Sequence, residues 1–452
     1  MSLNLANIGI SRVSVLGAAR SGVDAALLLQ KTGCKIFVSD TAPLRDKENS
    51  AAQLRSAGIE NEFGGHSRRI FEADAWVISP GIPLSHPLVQ QAEQSGIEIL
   101  GELEVASWFC RGKITAITGS NGKSTTTTLL GEMLEAAGIP HVVAGNIGTS
   151  FSSQVEKVPE SGVAVLEVSN FQLETIRDFH PHICVFLNLT PDHLDRHGSI
   201  ETYGQIKARI FENQNETDFA IFNEDDAEVR KLMAPVLSHK IPFSSRDALD
   251  EGAYVLNDRL MLAWAGSRIR LIHKSEMGLP GPHHVVNGLA AAMAAVLLGA
   301  DSGSINRVLQ DFRGLPHRME RIRQKDGILW INDSKATNID SMQCALKSYP
   351  NPIILIAGGR DKDTDFTPVR SLVEQKTKAV IVMGEAADKL SLTWQGIAKV
   401  VRVDSLSEAV DRASQMAVAG DVVLLSPGCA SFDMFENFED RGSQFRELVQ
   451  KL

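Results

Sequence analysis

The chain is short of cysteine, of basic clusters and of long apolar runs, and each shortage excludes something. Five cysteines (Cys34, Cys110, Cys184, Cys344, Cys429) are scattered through 452 residues without CxxC spacing. An odd, dispersed set supports neither a disulfide framework nor a thiolate metal site, and it fits a reducing compartment. The formal net charge is −10 with no basic run, so nucleic acid is not an expected partner. Local cationic pockets for anionic substrates remain open. The longest near-apolar run, Leu289–Ala300, is about 12 residues, enough for a buried helix but too short to span a bilayer. The N-terminal MSLNLANIGISR has no basic region followed by an apolar stretch, so no export signal and no membrane association are expected, and a cytoplasmic monomer is. Nothing repeats at a fixed short period.

What is present is organised around Ile114–Leu130, ITAITGSNGKSTTTTLL. A β-branched run enters a glycine-bearing turn and then a stretch with helical character. Unpaired N–H groups and the positive dipole end at a helix start form an anion site. Gly119, Ser120, Asn121, Gly122, Lys123, Ser124 and Thr125 are therefore expected to cradle the phosphates of ATP. Lys123 would reach the terminal phosphates, and the Ser124 hydroxyl would hold Mg²⁺. The loop is shortened: Ile117 stands where the usual motif has its first glycine. The alternative is a plain glycine-rich turn with an incidental lysine.

The length calls for two or three domains. Residues 1–107, 108–314 and 315–452 are the expected divisions, with residues 101–112 read as the connector between the first two. In the first, residues 12–40 read as a βαβ unit ending at Asp40, where ribose contacts usually sit. A dinucleotide fingerprint would need glycine at 17, 19 and 22, and position 19 is Ala19. A redox cofactor is thus not expected. A nucleotide or diphosphate site is, with Arg20 and Ser21 at the helix entrance. The strand Ala75–Ser79 ends at Ser79-Pro80-Gly81, at the carboxyl edge where open α/β sheets place ligands; alone, that triplet means only a turn.

In the middle region, the buried-strand pattern Val163–Val168 is interrupted by Glu167. A carboxylate there is costly unless paired or bound to metal, and beside a phosphate loop a second strand commonly supplies the Mg²⁺ carboxylate. A strand over Ile183–Leu189 runs into a polar loop carrying His193, placed to act as a ligand. The helical stretch 200–214 has Ile200, Tyr203, Ile206 and Ile210 on its apolar side. Lys207 falls near that side's margin, where the plain reading is a snorkelling lysine. His284 and Asn287 lie at the entrance of an Ala-rich helix, where a base could be contacted. Arg318 is either a phosphate clamp or a surface ion pair.

From about residue 315 a third α/β pattern begins. Strands ending near Asn332, Ala357, Met383 and Ser426 place polar loops on one edge, as in a parallel sheet with its site at the carboxyl ends. This region has no phosphate loop of its own, and it is expected to present a second substrate. The fold class is α/β in three domains: Rossmann-like at each end, with a P-loop ATPase-type centre whose sheet is mostly parallel.

Taken together, GSNGKST, GNIG, LEVSNFQLE, TPDHLDRH, GLPHRME, INDSKATN and LLSPGCASFDMFENFEDRG resemble the motifs of the bacterial Mur ligases, in order and across all three regions. INDSKATN and SPGCASFD are far more specific than any phosphate loop. The resemblance implies ATP-driven amide-bond formation in peptidoglycan precursor synthesis, with D-glutamate added to UDP-N-acetylmuramoyl-L-alanine. It implies a UDP-substrate contact at Asn146 and a first domain that holds the UDP, the domain in which the residue patterns above place Arg20, Ser21, Asp40, Ser79 and Gly81. It implies two Mg²⁺ ions held by Ser124, Glu167, His193 and Lys207, the lysine as a carbamate. Asn287, Arg318, Asp333 and Lys335 match ATP contacts. Thr337, Lys362, Ser431 and Phe438 match the amino-acid pocket. Catalytic roles fall on Lys123, His193, Lys207, Arg318 and Lys335.

Two departures stand out: Asn170 replaces a serine of the family's SSFQL, and Arg360-Asp361 intrude into the register before Lys362. Other members of the family, or a folylpolyglutamate-synthetase-like ligase, share the central motifs. A nucleotide-dependent switch protein would share the phosphate loop.

Overall fold

The computed structural model describes residues 9–191, 194–279, 281–349, 352–361 and 364–452. The chain divides into two compact units, Met1–Phe312 and Arg313–Leu452.

The first unit holds two sheets. One contains β1 (Arg12–Leu16), β2 (Lys35–Asp40), β3 (Glu60–Phe63), β4 (Ala75–Ile78) and β5 (Glu98–Gly101), all parallel in the order β3-β2-β1-β4-β5. The order reverses between β1 and β4, so the crevice beyond their carboxyl ends is where such a sheet receives ligands. The second sheet contains β6 (Lys113–Thr118), β7 (His141–Gly145), β8 (Val163–Glu167), β9 (Ile183–Phe186), β10 (Phe219–Asn223), β11 (His239–Ser244), β12 (Gly252–Leu256), β13 (Arg259–Trp264) and β14 (Ser267–His273). Its order is β14-β13-β12-β11-β10-β9-β6-β8-β7.

Strands β6 to β12 pair in parallel, whereas β12, β13 and β14 form an antiparallel meander. Its first turn is Asn257-Asp258, both at positive φ (49° and 59°), the left-handed pair that joins twisted hairpin strands without splaying them. The parallel strands are covered on both faces, which is why β8 is buried at every position.

The second unit carries one sheet: β15 (Glu320–Lys325), β16 (Ile328–Asn332), β17 (Ile353–Gly358), β18 (Thr377–Met383), β19 (Val400–Arg402) and β20 (Val422–Leu425). The order is β15-β16-β20-β17-β18-β19, antiparallel only between β15 and β16. Three mostly parallel sheets within an α/β chain are what the sequence patterns required.

In the first unit the helices include α1 (Arg20–Gln30), α2 (Glu102–Ser107), α3 (Lys123–Ala136), α4 (Asn170–Leu173), α5 (Leu194–His197), α6 (Ile200–Ala208) and α7 (Pro282–Leu297); in the second unit they include α8 (Phe438–Lys451). The Ala-rich α7 packs along α3, with Leu289 to Ala295 wholly buried. Among the described residues no helix is long and apolar enough to cross a membrane.

Residues 101–112, read as a connector, run from β5 to β6 and contain the buried helix α2. Glu104 is fully buried there and accepts from the N–H groups of Arg177, Asp178 and Phe179 and from Trp108 Nε1, at 2.8–3.0 Å. Four donors on one carboxylate offset its desolvation and fasten the first sheet's exit to the second sheet's surroundings. The strand expected to reach Leu189 stops at Phe186, and the helix begun at Ile200 gives way at Arg209 to a single 3₁₀ turn.

Candidate active site

Strand β6 ends at Thr118, and the chain turns through Gly119 (φ 151°) and Gly122 (φ 85°) into α3. Ile117 lies buried inside the strand, so the loop turns at Gly119. A Cβ on Gly122 would sit 2.4 Å from Asn287 Oδ1, so α7 and the loop approach each other at a point where only glycine fits. The loop is held from β9's exit. Asn121 N donates to Asn188 Oδ1 at 2.8 Å, and Ser120 Oγ donates to the Thr190 carbonyl at 2.9 Å. Sequence reasoning missed Asn188 and Thr190, since an Asn and a Thr in a polar loop carry no distinctive spacing.

Two lysines converge on this loop. Lys123 Nζ donates to the Gly119 and Ser120 carbonyls at 2.8 and 2.9 Å, and Lys207 Nζ donates to the Gly119 carbonyl at 3.0 Å. Lys207 is 0% exposed, with its ammonium 4.6 Å from the Tyr203 ring. The snorkelling expectation is therefore wrong. One turn after Tyr203 the side chain points inward, because α6 lies against the loop. Ser124 is buried in the first turn of α3.

Glu167 ends β8 at 3% exposure. Its Oε1 accepts from Asn146 Nδ2 at 2.8 Å, while Oε2 is buried without a hydrogen-bond partner among the described residues. Asn146 is fixed in turn through its own N–H to the Glu167 carbonyl at 2.9 Å.

At the first sheet, Ser79 Oγ is likewise buried and unpartnered among the described residues, and a Cβ on Gly17 would meet it at 2.2 Å. Asp40 Oδ2 accepts from Ala18 N at 2.6 Å and lies 3.3 Å from Lys47 Nζ, and Oδ1 accepts from Ala42 N at 2.8 Å. Burial opposes ionisation of Asp40, but these donors together hold its carboxyl below the usual range. Ser21 is half-buried and Gly81 exposed. Arg20 opens α1, at the helix entrance, and its guanidinium donates to the Gly148 carbonyl, joining α1 to the Gly145–Gly148 turn.

In the second unit, the carboxyl ends of β16, β17 and β20 meet. Asp333 Oδ2 accepts from Ser426 Oγ at 2.9 Å and Oδ1 from Met319 N at 3.1 Å. Burial pushes Asp333 up to about 7, against the pull of those two donors and of the Arg318 and Arg441 charges. Lys335 and Thr337 are half-buried, Ser431 is buried, and Lys335 Nζ lies 5.8 Å from the Phe438 ring centre. Arg318 is half-buried in the turn before β15.

Sequence reasoning also missed Arg441. It is wholly buried on α8 and donates to Ser334 Oγ (2.9 Å), the Ser334 carbonyl (2.8 Å) and the Cys429 carbonyl (3.2 Å). It stands inside the motif FENFEDRG, but an arginine on a helix looks like surface charge until its depth is known. His193 and Lys362 lie outside the described residues.

Three family models match the chain in order: Mur ligase MurD-like N-terminal domain over 11–101, Mur ligase middle domain over 117–295, and Mur ligase glutamate ligase domain over 317–429. The chain is 42% identical over 459 residues to a UDP-N-acetylmuramoylalanine--D-glutamate ligase of Chloroherpeton thalassium, covering 98% of both. It is 43% identical over 444 residues to the enzyme so named from Pelotomaculum thermopropionicum, again covering 98% of both. Among solved structures, UDP-N-acetylmuramate-alanine ligase MurC from Thermotoga maritima shares the fold with a TM-score of 0.59 at 19% identity, over 98% of this chain and 99% of that one. MurF from Acinetobacter baumannii does so at 0.59 and 17%, over 97% and 94%. With three matching models in sequence and relatives above 40% identity along nearly its whole length, the chain belongs to the Mur ligase family.

Proposed function

We propose that the chain joins the amine of D-glutamate to the alanyl carboxylate of UDP-N-acetylmuramoyl-L-alanine, with ATP cleaved to ADP and phosphate, in peptidoglycan precursor synthesis. The assignment is carried by the 42% identity, over 98% of the chain, to a relative named for this reaction. A carboxylate and an amine do not condense in water, because the oxygen to be lost is a poor leaving group. Transfer of the γ-phosphoryl group to the carboxylate gives an acyl phosphate and ADP. The amine then attacks the acyl carbon, the tetrahedral intermediate collapses, and inorganic phosphate leaves with that oxygen.

Phosphoryl transfer depends on positioning and charge neutralisation more than on covalent help. Lys123 and the N–H groups of Gly119–Thr125 suit the phosphates. Asn287, Arg318 and Asp333 suit the rest of the nucleotide, and Lys335 the transferring group. Ser124, Glu167, His193 and a carbamylated Lys207 would hold two Mg²⁺ ions. Glu167 Oε2, buried with no hydrogen-bond partner among the described residues, fits a cation. So does the depth of Lys207, since a buried amine loses its proton more readily and a carbamate exchanges a repelled ammonium for oxygen donors. Bound Mg²⁺ supplies charge neutralisation at the transferring phosphoryl group.

Ser79, Gly81, Asp40, Asn146, Ser21 and Arg20 are assigned to the UDP-linked substrate, Arg20 through the Gly148 turn it already holds. Thr337, Lys362, Ser431 and Phe438 are assigned to D-glutamate, whose two carboxylates require hydroxyl and cationic partners. The division of labour follows residues 1–107, 108–314 and 315–452, in a cytoplasmic monomer.

Phosphate release, assayed with each pairing of UDP-muramoyl acceptor and amino acid, tests the assignment. Release confined to the L-alanyl acceptor with D-glutamate is expected, and ¹⁸O from the alanyl carboxylate should appear in the phosphate. Release with another amino acid would move the chain to a different ligase, and release with none would end the ligase assignment.

A further inference from the structure

We infer that Arg196 is a positioning residue for the UDP-linked substrate, tying the Ser79-Pro80-Gly81 turn of the first sheet to α4 beside β8. The inference rests on the first sheet being the site of that substrate, as proposed above.

The geometry is a three-way clasp. Arg196 Nε and Nη2 donate to the two oxygens of Glu174 at 3.2 and 2.5 Å, in a pair only 18% and 11% exposed at the side chains. The guanidinium carbon lies 4.4 Å above the Phe171 ring. The remaining nitrogen, Nη1, reaches across to the Pro80 carbonyl at 3.3 Å. Such a fork serves several acceptors in fixed directions, which an ammonium cannot do.

The next residue is clamped to the same place. His197 Nε2 accepts from Asn170 Nδ2 at 2.7 Å, which leaves the ring proton on Nδ1, 3.8 Å from Glu174. The His197 ring stacks with Phe171 and Tyr203 at 5.9 and 5.5 Å. Asn170 is the position where this chain departs from the family's serine, and the longer amide spans to His197. The short helix α5 is therefore fastened to α4 at two consecutive residues, leaving one arginine N–H aimed at the substrate-side turn. That turn carries the buried Ser79 hydroxyl, unpartnered among the described residues, so where Pro80 is held decides where that hydroxyl points. The Pro80 contact adds nothing to the Glu174 pair. Its consequence is the placement of the turn.

Arg196→Lys separates the two jobs, because a lysine can keep the ion pair with Glu174 but lacks the second arm toward Pro80. Calorimetric titration of the full chain with UDP-N-acetylmuramoyl-L-alanine, and separately with a non-hydrolysable ATP analogue, is the test. Arg196→Lys should weaken acceptor binding by about tenfold, the scale of one charge-assisted hydrogen bond. Analogue affinity should stay within about twofold, and the kinetic signature should be a raised KM for the acceptor with the KM for ATP unchanged. Arg196→Ala should weaken the acceptor further, with partial recovery on adding guanidinium. Unchanged acceptor binding in Arg196→Lys overturns the inference, as does equal loss of acceptor and analogue, which marks a merely structural role. Absence of acceptor binding in the wild-type chain would instead remove the functional assignment on which the inference stands.

Discussion

Asn146 commits its side-chain amide to one oxygen of Glu167, at 2.8 Å, and leaves the other oxygen buried with no partner among the described residues. A half-satisfied carboxylate at 3% exposure is strongly unfavourable. A cation on that oxygen would offset the penalty, and the Asn146 contact sets the direction in which the oxygen faces.

The first prediction follows from this asymmetry. Glu167→Gln keeps an acceptor for Asn146 and nearly the same volume, so thermal stability should hold or rise. Phosphate release should fall by at least about 100-fold, the scale of removing one charge-stabilising group, and the Mg²⁺ concentration for half-activity should rise. Near-normal turnover at ordinary Mg²⁺ would show that Glu167 holds no metal.

Lys207 gives the second. With its ammonium against the Gly119 carbonyl and no exposure, it can be modified without disturbing a surface. Lys207→Met should stay folded, since it preserves most of the buried stem, and should lose nearly all turnover. Bicarbonate should not restore that variant, whereas wild-type chain stripped of carbon dioxide should regain activity on its addition. A carbamate resonance from ¹³C-bicarbonate should be present in the wild type and missing in the variant. Full activity in Lys207→Met would remove the carbamate.

Local patterns make the parallel strands readable: β6, β8, β16, β17, β18 and β20 are continuous apolar or β-branched runs that end in glycine or polar loops, and their burial on both faces makes the pattern unbroken. The strands β12 to β14 escape such a reading, because their signal is two short turns, Asn257-Asp258 and Ala265-Gly266, within mixed polar sequence. Glu104 and Arg441 are invisible for a different reason. A charged residue on an amphipathic stretch looks solvated until tertiary packing buries it, and nothing local encodes the donors that await Glu104 or the acceptors that await Arg441. Lys207 shows the same limit: helical spacing puts it near a margin, and only the neighbouring loop decides that the margin is interior.

Asp333 supports a pH prediction. Burial lifts its carboxyl to about 7, above the ordinary value near 4. Between those values the folded chain holds a proton there that the unfolded chain has released, so this group's contribution to stability falls as pH rises through the window. The loss is at most a few kcal/mol, since each tenfold change in proton affinity corresponds to about 1.4 kcal/mol. Urea midpoints at pH 5 and pH 8 should differ less in Asp333→Asn than in the wild type. Equal differences would place the titration elsewhere.

Arg441 yields the last. Burial lowers its guanidinium to about 10, so it is still charged at neutral pH, yet its described partners are carbonyls and a hydroxyl with no carboxylate in hydrogen-bonding contact. Replacing a buried charge by a well-packed apolar side chain is sometimes neutral, so two outcomes compete. Here the guanidinium satisfies the Ser334 and Cys429 carbonyls at once, and Arg441→Met would strand both in the interior, at about 1–3 kcal/mol each. The stranded acceptors should dominate over the relief of desolvation. Arg441→Met should lower the unfolding midpoint of the Arg313–Leu452 unit. Arg441→Lys, charged but unforked, should recover only part of it. A midpoint in Arg441→Met equal to the wild type's would mean that relieving the buried charge offsets the lost hydrogen bonds, and that the loops after β16 and β20 keep their places without the arginine.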